Sequence, residues 1–81
     1  MKLEIISPEK RIFTGEVESV SLPGTAGRFT VLSHHAALIS SLKAGEITYT
    51  VGGNETKLNI DSGFVEVNNN VVSVCIEKVV G

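Results

Sequence analysis

Tryptophan is absent from this sequence, and cysteine occurs once, as Cys75. A single thiol cannot close an internal disulfide, so a small core must hold the fold without covalent help. An unpaired thiol also fits a reducing compartment, most simply the cytoplasm. Basic residues are few and scattered: of Lys2, Lys10, Arg11, Arg28, Lys43, Lys57 and Lys78, only Lys10 and Arg11 are adjacent, and nine acidic residues bring the net charge to −2. Binding to polyanions is driven by clustered Lys and Arg, so the charge pattern argues against nucleic acid as a partner. Long apolar runs are missing too. None approaches the ~20 residues that span a bilayer. At the N-terminus, Glu4 and Pro8 interrupt anything resembling the apolar core of a signal peptide. A soluble protein is expected, with any membrane association made through a partner rather than by insertion.

What the sequence does contain is alternation. Its 81 residues, 42% of them hydrophobic, suffice for one small domain spanning residues 1–81. Leu3 and Ile5 alternate with Lys2 and Glu4 until Ser7-Pro8. Ile12-Phe13 follows and stops at Thr14-Gly15. Val17, Val20 and Leu22 point inward with a change of phase at Ser19, which predicts a bulge or bend. Pro23 to Gly27 reads as a loop. Phe29 and Val31 start a further strand, and Leu38, Ser40 and Leu42 alternate in the next. Ile47, Tyr49 and Val51 run to Gly52-Gly53-Asn54, residues that accept positive φ cheaply and so mark a hairpin. Thr56, Leu58 and Ile60 form the return strand. Asp61-Ser62-Gly63 turns into Phe64–Val67, and the Asn68-Asn69-Asn70 run turns again into Val71–Ile76. No window of about a dozen residues keeps a helical spacing. The prediction is an all-β flattened sandwich or barrel of about nine or ten short strands.

Residues able to carry chemistry are present but not arranged for it. No Gly-x-Ser-x-Gly elbow exposes a serine. Cys75 lies within Val72–Ile76, where a cysteine is expected to be a small buried hydrophobe and inert. His34 and His35 are neighbours in a segment read as extended, so their rings should point opposite ways. No Cys, Asp or Glu stands nearby in sequence to complete a metal site, and a surface-loop role is favoured. Gly24-Thr25-Ala26-Gly27 lacks the Lys-Ser/Thr tail and the following helix of a phosphate loop, so it reads as a strand connector. Phe13, Phe29, Tyr49 and Phe64 all fall on positions read as inward, whereas nucleic-acid stacking platforms need exposed aromatics beside basic residues. No enzyme signal, metal site or cofactor site emerges.

Several stretches, taken in order, resemble one family. Ile5-Ile6-Ser7-Pro8-Glu9-Lys10-Arg11-Ile12-Phe13-Thr14-Gly15-Glu16-Val17 is similar to the opening of the ε subunits of rotary ATP synthases, whose mitochondrial counterpart is called δ. Leu22-Pro23-Gly24-Thr25-Ala26-Gly27 resembles the family's L-P-G-x-x-G loop, and Ser33-His34-His35-Ala36-Ala37-Leu38 its P-G-H-A-P-L stretch. Leu42-Lys43-Ala44-Gly45 matches L-K-x-G, and Ser62-Gly63-Phe64-Val65-Glu66-Val67 matches G-G-F-x-E-V. Arg28 departs from the acidic residue that usually follows the loop, and both prolines around the histidine are replaced, while His35 keeps the family's place.

The resemblance implies a non-catalytic central-stalk subunit that joins γ to the membrane-embedded c-ring and turns with both, coupling ion flow to ATP synthesis in an assembly with α and β. It implies that Gly24, Thr25, Ala26, Gly27 and Arg28 face the c-ring, and that Ser7, His35, Leu38 and Ser40 lie near γ. The location would be the cytoplasmic face of the inner membrane, reached through the complex. Most relatives continue into a C-terminal helical hairpin. Here the sequence stops at Gly81, where the sandwich should finish, and a naturally short form without the inhibitory hairpin is expected. The alternative reading is a lipoyl- or biotinyl-type carrier, with Lys43 as the modified lysine of a hairpin tip, although neither carrier context surrounds it.

Overall fold

The alternation in the sequence becomes nine strands and no helix in the computed structural model, which describes Met1–Gly81. They are β1 (Lys2–Ile6), β2 (Arg11–Glu16), β3 (Ser19–Gly24), β4 (Gly27–Leu32), β5 (Leu38–Leu42), β6 (Gly45–Val51), β7 (Asn54–Ile60), β8 (Gly63–Asn68) and β9 (Val71–Ile76). One path of pairing runs β2-β1-β9-β8-β5-β3-β6-β7, with β4 on the other edge of β3. Only β1 and β9 pair in parallel. The path is continuous but strongly bent, because β5 and β3 share a single pairing, Leu42 with Gly24. On one side of that corner lies a half made of β2, β1, β9, β8 and β5. On the other lies a half made of β4, β3, β6 and β7.

The two halves close over one core. Leu3, Ile5, Val65, Val67, Val72 and Val74 from the first half join Val20, Leu22, Val31, Ile47, Tyr49 and Ile60 from the second in a single buried cluster. Their period of two follows from the pleat, which sends successive side chains to opposite faces. Strand β9 is the clearest case: Val72, Val74 and Ile76 are buried, while Val71, Ser73 and Cys75 are only half-buried on the outer face. The change of phase near Ser19 is where the chain crosses between the halves. There the amide of Val17 donates to the Met1 carbonyl and that of Glu18 to the Thr50 carbonyl, both at 2.8 Å.

Two turns fit their residues closely. Gly52 and Gly53, at φ 56° and 80°, form a two-residue hairpin between β6 and β7. Asn69 and Asn70, at 50° and 62°, do the same between β8 and β9. Positive φ at both central residues matches the twist of the flanking strands, and Gly and Asn tolerate it best.

Four expectations need correction. The Pro23–Gly27 loop is a tight hairpin: Pro23 and Gly24 belong to β3, Gly27 opens β4, and only Thr25 and Ala26 lie between them. Phe64 is not inward but 52% exposed, because its strand places Val65 and Val67 in the core. Cys75 shares that outward phase and is half-buried rather than buried. The histidine pair is not extended, since His34 sits in a turn at φ 65°.

Candidate functional site

With the core filled by one phase of each strand, the opposite phase forms the two outer faces, and they differ in chemistry. On the five-stranded half the register aligns Arg11, Ile6, Cys75, Phe64 and Ser41 in one row across β2, β1, β9, β8 and β5. The next row is Thr14, Glu4, Ser73, Glu66 and Ile39. Large apolar groups stand exposed here: Ile39 at 76%, Phe64 at 52% and Ile6 at 40%. Ile6, Pro8, Phe64 and Cys75, with Ser7 and Glu77 at the margin, line an open groove of about 530 Å³.

The outer face of the four-stranded half is hydroxylic and charged instead. Thr30, Ser21, Thr48 and Lys57 form one row across β4, β3, β6 and β7. The Thr30 hydroxyl donates to Ser21 Oγ at 3.3 Å. Arg28 lies flat on this face, its Nη1 donating to the Glu46 carbonyl at 2.6 Å and its Nη2 to Thr48 Oγ1 at 3.3 Å.

The residues singled out in the sequence occupy distinct places. Gly24 to Arg28 make up the β3–β4 hairpin, but Arg28 points along the sheet rather than past the tip. Gly24 is required there, since a Cβ would meet the Gly27 carbonyl oxygen at 2.7 Å and the Phe29 ring at 2.9 Å. Ser7 closes the β1–β2 turn, its amide donating to the Lys10 carbonyl at 2.9 Å and its hydroxyl accepting from the Lys10 amide at 3.3 Å. It borders the apolar groove. His35 is exposed in the β4–β5 connection, where its amide donates to the Leu32 carbonyl at 3.1 Å. Its Nδ1 lies 2.7 Å from the Ala36 carbonyl oxygen, which can only accept, so that nitrogen carries a proton. The neighbouring His34 amide donates to Asn70 Oδ1 at 2.8 Å, which ties this connection to the β8–β9 turn. Leu38 and Ser40 face inward opposite Val67 and Val65, and the side chains that β5 presents outward are Ile39 and Ser41.

Ile6, Ile39 and Phe64 were therefore missed as surface residues. The signal was available for Ile39, an apolar residue in the polar phase of Leu38-Ile39-Ser40-Ser41-Leu42. Lys43 lies between β5 and β6, which do not pair with each other. It is not a hairpin tip of the kind a carrier lysine needs, and its amide is held by the Pro23 carbonyl at 2.9 Å.

Comparison with known proteins agrees with this geometry. The family described as ATP synthase, Delta/Epsilon chain, beta-sandwich domain matches residues 1–81. The ATP synthase epsilon chain of Geobacter metallireducens is 38% identical over 77 residues, covering 95% of this chain and 56% of the relative. That of Desulfitobacterium hafniense is 44% identical over 72 residues, covering 89% and 54%. The chain thus spans about half the length of the curated relatives it matches. A chain in the structure of Euglena gracilis mitochondrial ATP synthase, OSCP/F1/c-ring, superposes with a TM-score of 0.90 at 25% identity, over 96% of this chain and 51% of that one. A chain from the central stalk/c-ring of the Tetrahymena thermophila enzyme gives 0.84 at 12% identity over 98% and 64%, a likeness of fold. From the match over residues 1–81, the chain belongs to the β-sandwich domain family of ATP synthase delta/epsilon chains.

Proposed function

We propose that this chain works as a single β-sandwich domain and as a non-catalytic part of the rotating central stalk of an ATP synthase, joining γ to the c-ring. The observation that carries the reading is the apolar outer face of the five-stranded half. An outward row of exposed Ile6 and Phe64 with half-buried Cys75 between them, and exposed Ile39 beside it, is the composition of an interface core, in a family whose relatives are ATP synthase chains. In this reading γ covers that face. Ser7 lies at the margin of the interface, and His35 lies beyond its far end. The β3–β4 hairpin, Gly24 to Arg28, meets the c-ring. Each contact would be of ordinary size, roughly 800 Å² per partner.

The fold suits such a part. A rotor element must pass torque without bending, and a close-packed core transmits strain rather than absorbing it. No helix is long and apolar enough to cross a membrane. The location proposed is the cytoplasmic face of the inner membrane, held there through the complex with α, β, γ and the c-ring.

The test is an affinity capture of the chain, tagged at its C-terminus, from gently solubilised membranes of its source cells, read by mass spectrometry. Recovery of γ together with the catalytic subunits and the c-ring is expected. Recovery of soluble acyl-transfer components, or of nothing from membranes, would overturn the reading.

A further inference from the structure

We infer that Glu66 is a specificity residue of the apolar face, and that the γ segment seated there brings a Lys or Arg to meet it. This inference rests on the function proposed above and adds the chemistry of the partner's contact.

Glu66 is exposed in the middle of β8 and shares a row with Ser73 of β9 on one side and Ile39 of β5 on the other. Along its own strand the residues on the same face are Phe64 and Asn68. None of these four can neutralise a carboxylate. Two ion pairs exist in the molecule, the N-terminal amine with Glu16 and Lys57 with Glu55, and neither involves Glu66. Its carboxylate also makes no hydrogen bond to another side chain or to the backbone; the other acid of its row, Glu4, receives one from Thr14 Oγ1 at 3.4 Å. Basic residues on this face, Lys2 and Arg11, stand on β1 and β2, at the far side of β9.

In the free protein this isolation costs nothing, because water solvates the carboxylate. Covering the face changes that. A partner that buries Phe64 and Ile39 also strips water from Glu66, and an ionised carboxylate left unpaired in a desolvated interface is strongly unfavourable. A partner surface that is apolar alone is therefore rejected. One that sets a cation against Glu66 replaces the lost water with a charge-assisted hydrogen bond. Apolar contact supplies the area, and the single acid selects among apolar partners and fixes the register.

The test measures affinity of the purified full chain for the γ subunit of the same enzyme, by calorimetry, for the wild type, Glu66→Gln, Glu66→Lys and Phe64→Asp. Glu66→Gln keeps the shape and removes the charge; it is expected to weaken binding at least about tenfold and to flatten its salt dependence. Glu66→Lys should weaken it further, and charge reversal of the opposing γ residue should restore it. Wild-type or tighter binding by Glu66→Gln would overturn the inference. If that occurs while Phe64→Asp abolishes binding, the stalk reading stands and only the role of Glu66 falls. If Phe64→Asp also binds as the wild type, or the wild type does not bind γ, the apolar face is not the contact and both fall together. Circular dichroism of each variant verifies that the sandwich is intact.

Discussion

Thr25 Oγ1 lies 2.8 Å from Ser41 Oγ, and the Thr25 amide donates to the Ser41 carbonyl at 3.0 Å. The tip of the β3–β4 hairpin is thereby bonded, through side chain and backbone together, to the strand that edges the apolar face. The Lys43 amide, donating to the Pro23 carbonyl at 2.9 Å, adds a third tie at the same corner. Were the hairpin only the exposed connector that its Gly content suggests, its tip would move independently of β5.

Removing the hydroxyl tie should loosen the tip without unfolding the sandwich. Thr25→Val keeps the branched shape, and Ser41→Ala removes the other partner. Each is expected to cost about 0.5–1.5 kcal/mol in urea unfolding, because the pair is exposed and water replaces part of the bond. The double variant should cost less than the sum of the two, since both break the same contact. Hydrogen exchange at the Thr25 amide should quicken in either single variant. Unchanged exchange would mean that the hydroxyl pair does not brace the tip.

A second prediction concerns Gly63, which opens β8 and is paired with Leu42 on one side and Ile76 on the other. A Cβ there would run into the Cys75 carbonyl and the Ile76 Cα, which are backbone atoms with no rotamer to yield. Gly63→Ala should therefore lower stability by about 1–3 kcal/mol, as overpacking does in a filled core. Gly15→Ala is the comparison, because its new methyl would meet only the end of the Phe13 ring at 3.2 Å, and a ring can shift. Urea midpoints separate the two. Equal midpoints would show that β8 and β9 do not approach so closely at Gly63.

How far the sequence could be read follows from the same geometry. Strand phase was legible wherever a strand has one apolar and one polar face, as in Ile47-Tyr49 or Leu58-Ile60. The phase fixed the core, and the positive-φ turns fixed the hairpin between β6 and β7. Phe64 was misread because β8 begins on Gly63 and carries Phe64, Val65 and Val67 close together, so hydrophobicity alone does not say which phase is buried. Cys75 was misread for the same reason in Val71–Ile76, a strand apolar in both phases apart from Ser73. In each case the outward apolar residue is part of the candidate contact face, where the rule that apolar residues point inward fails. Leu38 and Ser40, which the resemblance places near a partner, are half-buried on the core-facing side of β5, between the outward Ile39 and Ser41. Pairing across the β5–β3 corner rests on Gly24 with Leu42 and leaves no local pattern in either segment.

The last prediction is a pH dependence set by Tyr49. Its side chain is nearly buried, with its ring centroid 4.5 Å from that of Phe13 at a tilt of 40°. Burial holds the phenol above its usual value of 10.0, and the neighbouring Thr56 side chain offsets this only in part. The sign follows from linkage. Below about pH 10 the phenol is neutral in both the folded and the unfolded chain, so it gives no pH slope. Above that pH the unfolded chain ionises first and is favoured, so stability is lost as pH rises towards the folded-state value. For a single proton the slope reaches at most about 1.4 kcal/mol per pH unit. Lysines titrate in the same range, so the quantity to follow is the difference between wild type and Tyr49→Phe. Phenylalanine keeps the ring against Phe13 and removes the ionisable group. Urea midpoints from about pH 8 to about pH 11 should fall more steeply for the wild type than for Tyr49→Phe, with the gap opening only near the phenol's own titration. Parallel curves would mean that Tyr49 ionises as readily in the folded chain as in the unfolded one, and that its ring is not sealed in the core.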